Sequence, residues 1–219
     1  MIKCCIFDLD GTLVNSLYDI ANAANSTLAL LGLPVYNIEK YRQFAGNGVA
    51  KLIERILPNE YRTDEYKQKA LDIFNEKYNR CCLDTTTPYI DIVETLEELK
   101  KQNIILAVVS NKPHDLVKKI INNLLPDIFD DVFGNIAGIA TKPSPDLCLH
   151  VIRNHNIKAC ECIFTGDSDV DMLTAINAKM LPTGVSWGFR SKSELKNAGA
   201  KYIINTPKEL LKILKNNNI

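Results

Sequence analysis

The sequence predicts an α/β fold: a Rossmann-like parallel sheet core with helices on both faces, plus an inserted all-helical cap subdomain. Three observations lead there. The chain opens on an unbroken apolar run, Cys4-Cys5-Ile6-Phe7, which is the pattern of a strand buried on both faces. From residue 92 onward, short apolar runs alternate with amphipathic stretches of helical period, the rhythm of βαβ units. Between these regions lie three helical patterns with no convincing strand.

Taken in order, residues 16–31 set Leu17, Ile20, Ala24, Leu28 and Leu31 at helical spacing and stop at Gly32 and Pro34. Residues 38–57 form a second helical pattern, broken at Gly46-Asn47-Gly48, with Val49, Leu52, Ile53, Ile56 and Leu57 on one face. Residues 64–82 form a third, whose aromatic stripe (Tyr66, Phe74, Tyr78) reads as core packing. Asp84 to Thr87 and Pro88 read as a polar linker. The alternation then runs helix 92–101, strand 104–109, helix 115–124, strand 131–136, helix 145–154, strand 162–165, helix 171–178, strand 181–185, helix 192–197, strand 202–204 and helix 207–216. The expected division is a core of residues 1–14 and 83–219, with a helical cap over 15–82.

Composition narrows the function. Lysine plus arginine equals aspartate plus glutamate, 26 each among 219 residues, which argues against a broad footprint for nucleic acid or a membrane surface. Acids interrupt the first apolar run at once, so it does not read as a signal peptide, and no apolar run approaches the roughly 20 residues of a membrane helix. The seven cysteines show no CxxC spacing and read as free thiols in a reducing cytoplasm. His114, His150 and His155 lack metal-ligand spacing and read as surface or packing residues.

Chemistry concentrates at strand ends. The first strand stops at Asp8 and Asp10, followed by Gly11 and Thr12. The strand at 104–109 stops at Ser110-Asn111, and the strand at 162–165 at Gly166-Asp167-Ser168-Asp169-Val170-Asp171. Lys142 sits between the last two. In open α/β sheets, sites form outside the carboxyl ends of strands. Carboxylates from two strands suit Mg²⁺, a hard cation that takes oxygen ligands. A hydroxyl, backbone N–H groups and a lysine suit a phosphoryl group, and a carboxylate can serve as its covalent acceptor.

The ordered set DLDGTL, SNK, the KP lysine and GDSDVD resembles the four motifs of the haloacid dehalogenase-like (HAD) hydrolases, over essentially the whole chain. The flanks SNKP, KPSPD and VSWGFRS look like the phosphoglycolate phosphatase branch, whose helical cap the insertion resembles. The resemblance implies that Asp8 is the nucleophile. Asp10 is then general acid and base, and its backbone carbonyl joins Asp8 and Asp167 in holding Mg²⁺. Ser110, the N–H of Asn111, Gly11 and Thr12 are the implied substrate-binding group. Lys142 neutralises charge between Asp8 and phosphate, Asp171 orients the metal water or Lys142, and Asp169 supplies charge at a helix N-terminus. The expected activity is Mg²⁺-dependent hydrolysis of a small phosphorylated metabolite, 2-phosphoglycolate favoured, by a monomer or weak homodimer.

The Gly46-Asn47-Gly48 loop and Arg190 are further candidates for substrate contact. Two positions depart from the branch's pattern. Ile90-Asp91 replaces Pro-Gly, and Lys179 replaces the glycine after a helix. The rivals are a dehalogenase, disfavoured by Asp10, which that chemistry does not need; a phosphomutase or pyrophosphatase on the same core; and a phosphorylatable signalling module, which would be much shorter.

Overall fold

The computed structural model describes residues 1–216; residues 217–219 of the expected core lie outside them. In chain order the elements begin with β1 (Cys4–Phe7), β2 (Val14–Asn15), α1 (Leu17–Leu30), α2 (Tyr41–Phe44), α3 (Val49–Ile56), α4 (Asp64–Cys81) and β3 (Thr87–Pro88). They continue with α5 (Ile92–Lys101), β4 (Ile105–Pro113), α6 (His114–Leu124), β5 (Asp131–Asn135), α7 (Asp146–His155) and β6 (Cys162–Gly166). The chain closes with α8 (Asp169–Asn177), β7 (Leu181–Val185), α9 (Lys192–Asn197), β8 (Tyr202–Ile204) and α10 (Glu209–Asn216).

Six strands form one parallel sheet in the order β5-β4-β1-β6-β7-β8. The apolar run of β1 is explained by its place between β4 and β6. Cys5 and Phe7 enter one core layer with Ile92, Leu96, Val117, Ile120 and Leu210. Cys4 and Ile6 enter the opposite layer with Leu147, Cys148, Val151 and Ala175. Alternate residues thus feed two separate cores, which is why none of the four is polar. The chain runs from β1 outward through β4 and β5, then returns to the other side of β1 as β6. The reversal puts a crevice at the carboxyl end of β1.

Helices α1 to α4 pack around a cluster of their own, including Leu17, Ile20, Leu28, Tyr41, Ile53, Ile56, Phe74 and Tyr78. Leu116 and Phe189 from the sheet region join that cluster, so the helical layer is seated on the rest by apolar contact. The stretch expected as a polar linker is ordered instead. Thr87 and Pro88 pair antiparallel with Asn15 and Val14. The buried carboxylate of Asp19 accepts from Thr85 N–H and Oγ1 at 3.1 and 2.5 Å and from Thr86 N–H and Oγ1 at 2.9 and 2.6 Å. The ribbon pairs the backbones on either side of the helical layer, and the one buried acid satisfies the Thr85 and Thr86 N–H groups that lead into it.

Both departures from the family pattern keep the glycine conformation. Asp91 has φ of 65° and Lys179 φ of 57°. Beyond α8, Met180 N–H donates to Ala175 O at 2.8 Å and Lys179 N–H to Ile176 O at 3.0 Å, the left-handed helix stop that glycine usually supplies. Lys179→Gly should therefore stabilise the fold by about 1 kcal/mol, a rise in Tm of roughly 2–4 °C for a chain of this size, with turnover unchanged. Thermal melts test this; an unchanged Tm would show that Lys179 carries no strain there. Among the described residues, no helix is long and apolar enough to cross a membrane.

Candidate active site

Sheet register gathers the acids. Phe7 lies opposite Val108 on β4 and Thr165 on β6, so Asp8 and Asp167, just past the ends of β1 and β6, stand at nearly one level with Ser110 in the last part of β4. Asp8 remains tied to the sheet by its N–H to Thr165 O, 3.0 Å. Its Oδ1 accepts from Leu9 N–H at 2.7 Å and pairs with Lys142 Nζ at 2.8 Å.

Lys142 is buried and doubly held. Its Nζ also reaches Asp171 Oδ1 at 2.7 Å. Asp171 in turn accepts from Ser168 N–H at 3.0 Å and Ser168 Oγ at 2.6 Å through Oδ2, the capping box that starts α8. One acid therefore closes a helix with one oxygen and orients the lysine with the other. Asn111 places the lysine's backbone: its Nδ2 donates to Lys142 O at 3.1 Å and its Oδ1 accepts from Lys142 N–H at 2.9 Å. The Asn111 side chain is thus spent on positioning Lys142.

Asp167 is fully buried and accepts from Phe189 N–H at 2.7 Å. Two glycines make room for it. A Cβ on Gly11, whose φ is 80°, would fall 2.2 Å from Asp167 Oδ2, and one on Gly188 would fall 2.2 Å from Asp167 Cβ. Gly11 and Thr12 wrap this acid, with Thr12 Oγ1 3.4 Å from Asp167 Oδ1, and neither lines the neighbouring cavity. The turn sets both residues against Asp167.

Burial dominates the electrostatics. It pushes the Asp8 carboxyl up to about 7 against the pull of Lys142, and Asp171 adds to the rise. Burial likewise holds Asp167 well above the usual carboxylate range, reinforced by Asp171 and Asp8. For Lys142, burial works downward, but Asp171 and Asp8 outweigh it and hold the ammonium above its ordinary value. Carboxylate oxygens of Asp8, Asp167 and Asp171 lie within 4.8 Å of one another. Four carboxylates (Asp8, Asp10, Asp167, Asp171) face two ammonium groups (Lys112, Lys142). The formal surplus of two negative charges, in an all-oxygen buried setting, fits a hard divalent cation.

Above the acids lies a cavity of about 60 Å³ lined by Asp8, Asp10, Ser110, Asn111 and Lys112 from the sheet side. Gly46, Gly48, Phe74 and Tyr78 line it from the helical side. The Gly46-Asn47-Gly48 loop thus faces the acids through its two glycines. Arg190 does not reach into this cavity. Its guanidinium donates to the carbonyls of Arg42 and of Ala45, the latter at 2.8 Å, while Arg42 Nη1 donates back to Gly188 O at 3.0 Å. This exchange ties the helical layer to the loop that holds Asp167. Asp169 lies in the first turn of α8 and lines a separate open cleft with Arg55 and Arg190. His114 Nδ1 accepts from Gly134 N–H, His150 meets Phe133 edge to face and His155 pairs with Asp131, all structural roles.

Two residues had no functional reading in the sequence. Lys112 Nζ contacts Asp10 Oδ1 and Oδ2 at 2.5 and 2.7 Å and Tyr78 Oη at 2.8 Å. Strand alternation puts Lys112 on the side of Ser110, a signal present at Ser110-Asn111-Lys112. Tyr78 carried none beyond helical spacing.

Comparison with known proteins agrees with this geometry. The profile of the family described as haloacid dehalogenase-like hydrolase matches residues 5–185. A Vibrio parahaemolyticus protein named phosphoglycolate phosphatase is 31% identical, covering 97% of this chain and 96% of its own. An Aquifex aeolicus protein of the same name is 33% identical over 98% of both. A Haemophilus somnus crystal structure, described as a predicted phosphoglycolate phosphatase, superposes with a TM-score of 0.90 at 29% identity, covering 97% of this chain and 98% of its own. The chain belongs to the haloacid dehalogenase-like hydrolases, in their phosphoglycolate phosphatase-like branch among the phosphoric monoester hydrolases.

Proposed function

We propose that this protein is a Mg²⁺-dependent phosphatase that hydrolyses a small phosphomonoester, 2-phosphoglycolate favoured, through an aspartyl-phosphate on Asp8. The observation that carries the reading is the Asp8 carboxylate at the end of β1, paired with Lys142 at 2.8 Å and lining a small cavity. An Asp8 oxygen attacks phosphorus as the ester oxygen leaves. Asp10, two residues on and lining the same cavity, gives that oxygen its proton. Asp10 then takes a proton from the water that attacks the aspartyl-phosphate, which releases phosphate and restores the Asp8 carboxylate and the protonated Asp10. Ser110 Oγ and the Asn111 N–H hold phosphoryl oxygens, and Lys142 balances the charge between Asp8 and the phosphoryl group. Asp8, Asp167 and the Asp10 carbonyl would hold Mg²⁺, which supplies charge stabilisation at the phosphoryl oxygens.

In this reading residues 15–82 form a cap over a core of 1–14 and 83–219, supported by the separate apolar cluster of α1–α4 and the paired ribbon beneath it. The cavity's size and the residues that the cap adds to its lining support a small substrate. All seven cysteines are free, which supports a cytoplasmic setting, with the chain working as a monomer or weak homodimer. Phosphate release from a panel of phosphorylated metabolites tests the activity. We expect 2-phosphoglycolate to give the highest kcat/KM, with activity falling to background in EDTA and returning with Mg²⁺. No turnover of any monoester, or phosphoryl transfer to another hydroxyl of the substrate instead of to water, would overturn the reading.

A further inference from the structure

Among the described residues that line the cavity beside Asp8, Lys112 is the only one with a cationic side chain. It is 7% exposed, and much of the surrounding wall is apolar: Ile20, Val49, Phe74 and Leu116. An ammonium withdrawn from water this far needs an anion beside it. Its partner here is Asp10, contacted at 2.5 and 2.7 Å, the residue that must serve the leaving oxygen. Asp10 also accepts from Ser16 Oγ at 2.5 Å. The other contact of the ammonium, Tyr78 Oη at 2.8 Å, comes from the cap, and the Tyr78 ring centroid lies 4.8 Å from Nζ. Lys112 is therefore held between core and cap at the wall of the cavity, on a counter-ion the reaction needs elsewhere.

We propose that Lys112 is the specificity-determining residue of this site: it binds a second anionic group of the substrate, a carboxylate close to the phosphate ester, with Tyr78 steadying the ammonium. This rests on the phosphatase reading above and adds to it the residue that selects the substrate class. On binding, the substrate carboxylate replaces Asp10 as the partner of Lys112. No covalent bond changes in this exchange, and Asp10, released as a carboxylate, takes up a proton from solvent to deliver to the leaving oxygen. A substrate with a neutral tail leaves Lys112 on Asp10 and gains neither contact nor release. Because Lys112 belongs to β4 and Tyr78 to α4, the anion site is complete only with the cap seated.

The test compares 2-phosphoglycolate with its amide, which has the same shape without the charge. Wild type should favour the acid by about 10- to 100-fold in kcat/KM, the scale of a charge-assisted hydrogen bond. Lys112→Met should remove that preference, losing roughly 10- to 100-fold on the acid and clearly less on the amide. Lys112→Arg should restore part of the preference. Tyr78→Phe, which keeps the ring, should raise KM for the acid a few-fold, with kcat little changed. Equal losses on acid and amide in Lys112→Met would overturn the assignment and leave Lys112 as a partner of Asp10 alone. Should that variant not fold, wild type decides: equal kcat/KM for acid and amide, together with equal inhibition by glycolate and glycolamide, overturns the assignment. In both cases the phosphatase reading survives, because both esters are still hydrolysed. Failure of wild type on both esters while another monoester is turned over overturns the role of Lys112 alone, and failure on every monoester overturns the phosphatase reading with it.

Discussion

Asp8→Asn is expected to abolish turnover, by about 10⁴-fold or more, and to abolish the phosphoenzyme as well. The amide oxygen is a far poorer nucleophile than the carboxylate it replaces. The change also weakens the ion pair with Lys142 at 2.8 Å, so two features of the attack are lost together. Burial pushes the Asp8 carboxyl up to about 7 while Lys142 opposes the rise, so Lys142 favours the ionised form that attacks. The measurements are steady-state phosphate release and acid-quench trapping of labelled protein from a labelled phosphate ester, with a melting curve to show that the variant is folded. Wild-type turnover by a folded Asp8→Asn protein would end the nucleophile assignment.

Asp10→Asn should leave the first acid intact and separate two substrates by their leaving groups. Its backbone carbonyl is retained, so Mg²⁺ should still bind. Proton transfer is lost, typically worth about 10²–10⁴-fold. The full loss is expected for 2-phosphoglycolate, whose alkoxide leaves poorly without a proton. It should shrink for p-nitrophenyl phosphate, whose phenolate leaves unaided. Water activation suffers in both cases, so phosphoenzyme should accumulate in Asp10→Asn with p-nitrophenyl phosphate and never in Asp8→Asn. Single-turnover kinetics resolve the first step from the second. Equal slowing of the first step on both substrates would remove the general-acid role. The Asp10→Asn change also leaves Lys112 without its carboxylate partner, so the comparison of substrates, rather than the absolute rate, carries the conclusion.

Much of this protein is written locally. Cys4-Cys5-Ile6-Phe7 has no polar residue because its alternate side chains enter two different cores, and such an unbroken apolar run is the pattern of a strand buried on both faces. Acids that stop buried strands mark the sheet's carboxyl edge, so Asp8 and Asp167 were legible as neighbours from the chain alone. Lys179 adopts the left-handed turn with φ of 57° because the helix stop is fixed by short-range backbone bonds. Contacts between distant segments are another matter. Lys112 meets Tyr78 across 34 positions and Asp10 across 102, and Asp19 in α1 orders Thr85 and Thr86 across 66 and 67. Arg190 turns to the carbonyls of Arg42 and Ala45 because the helical layer is seated there. Periodicity tells which face of an element a side chain occupies. Which partner stands opposite depends on sheet register and on how the helices α1–α4 rest on the core, and only the folded chain decides those.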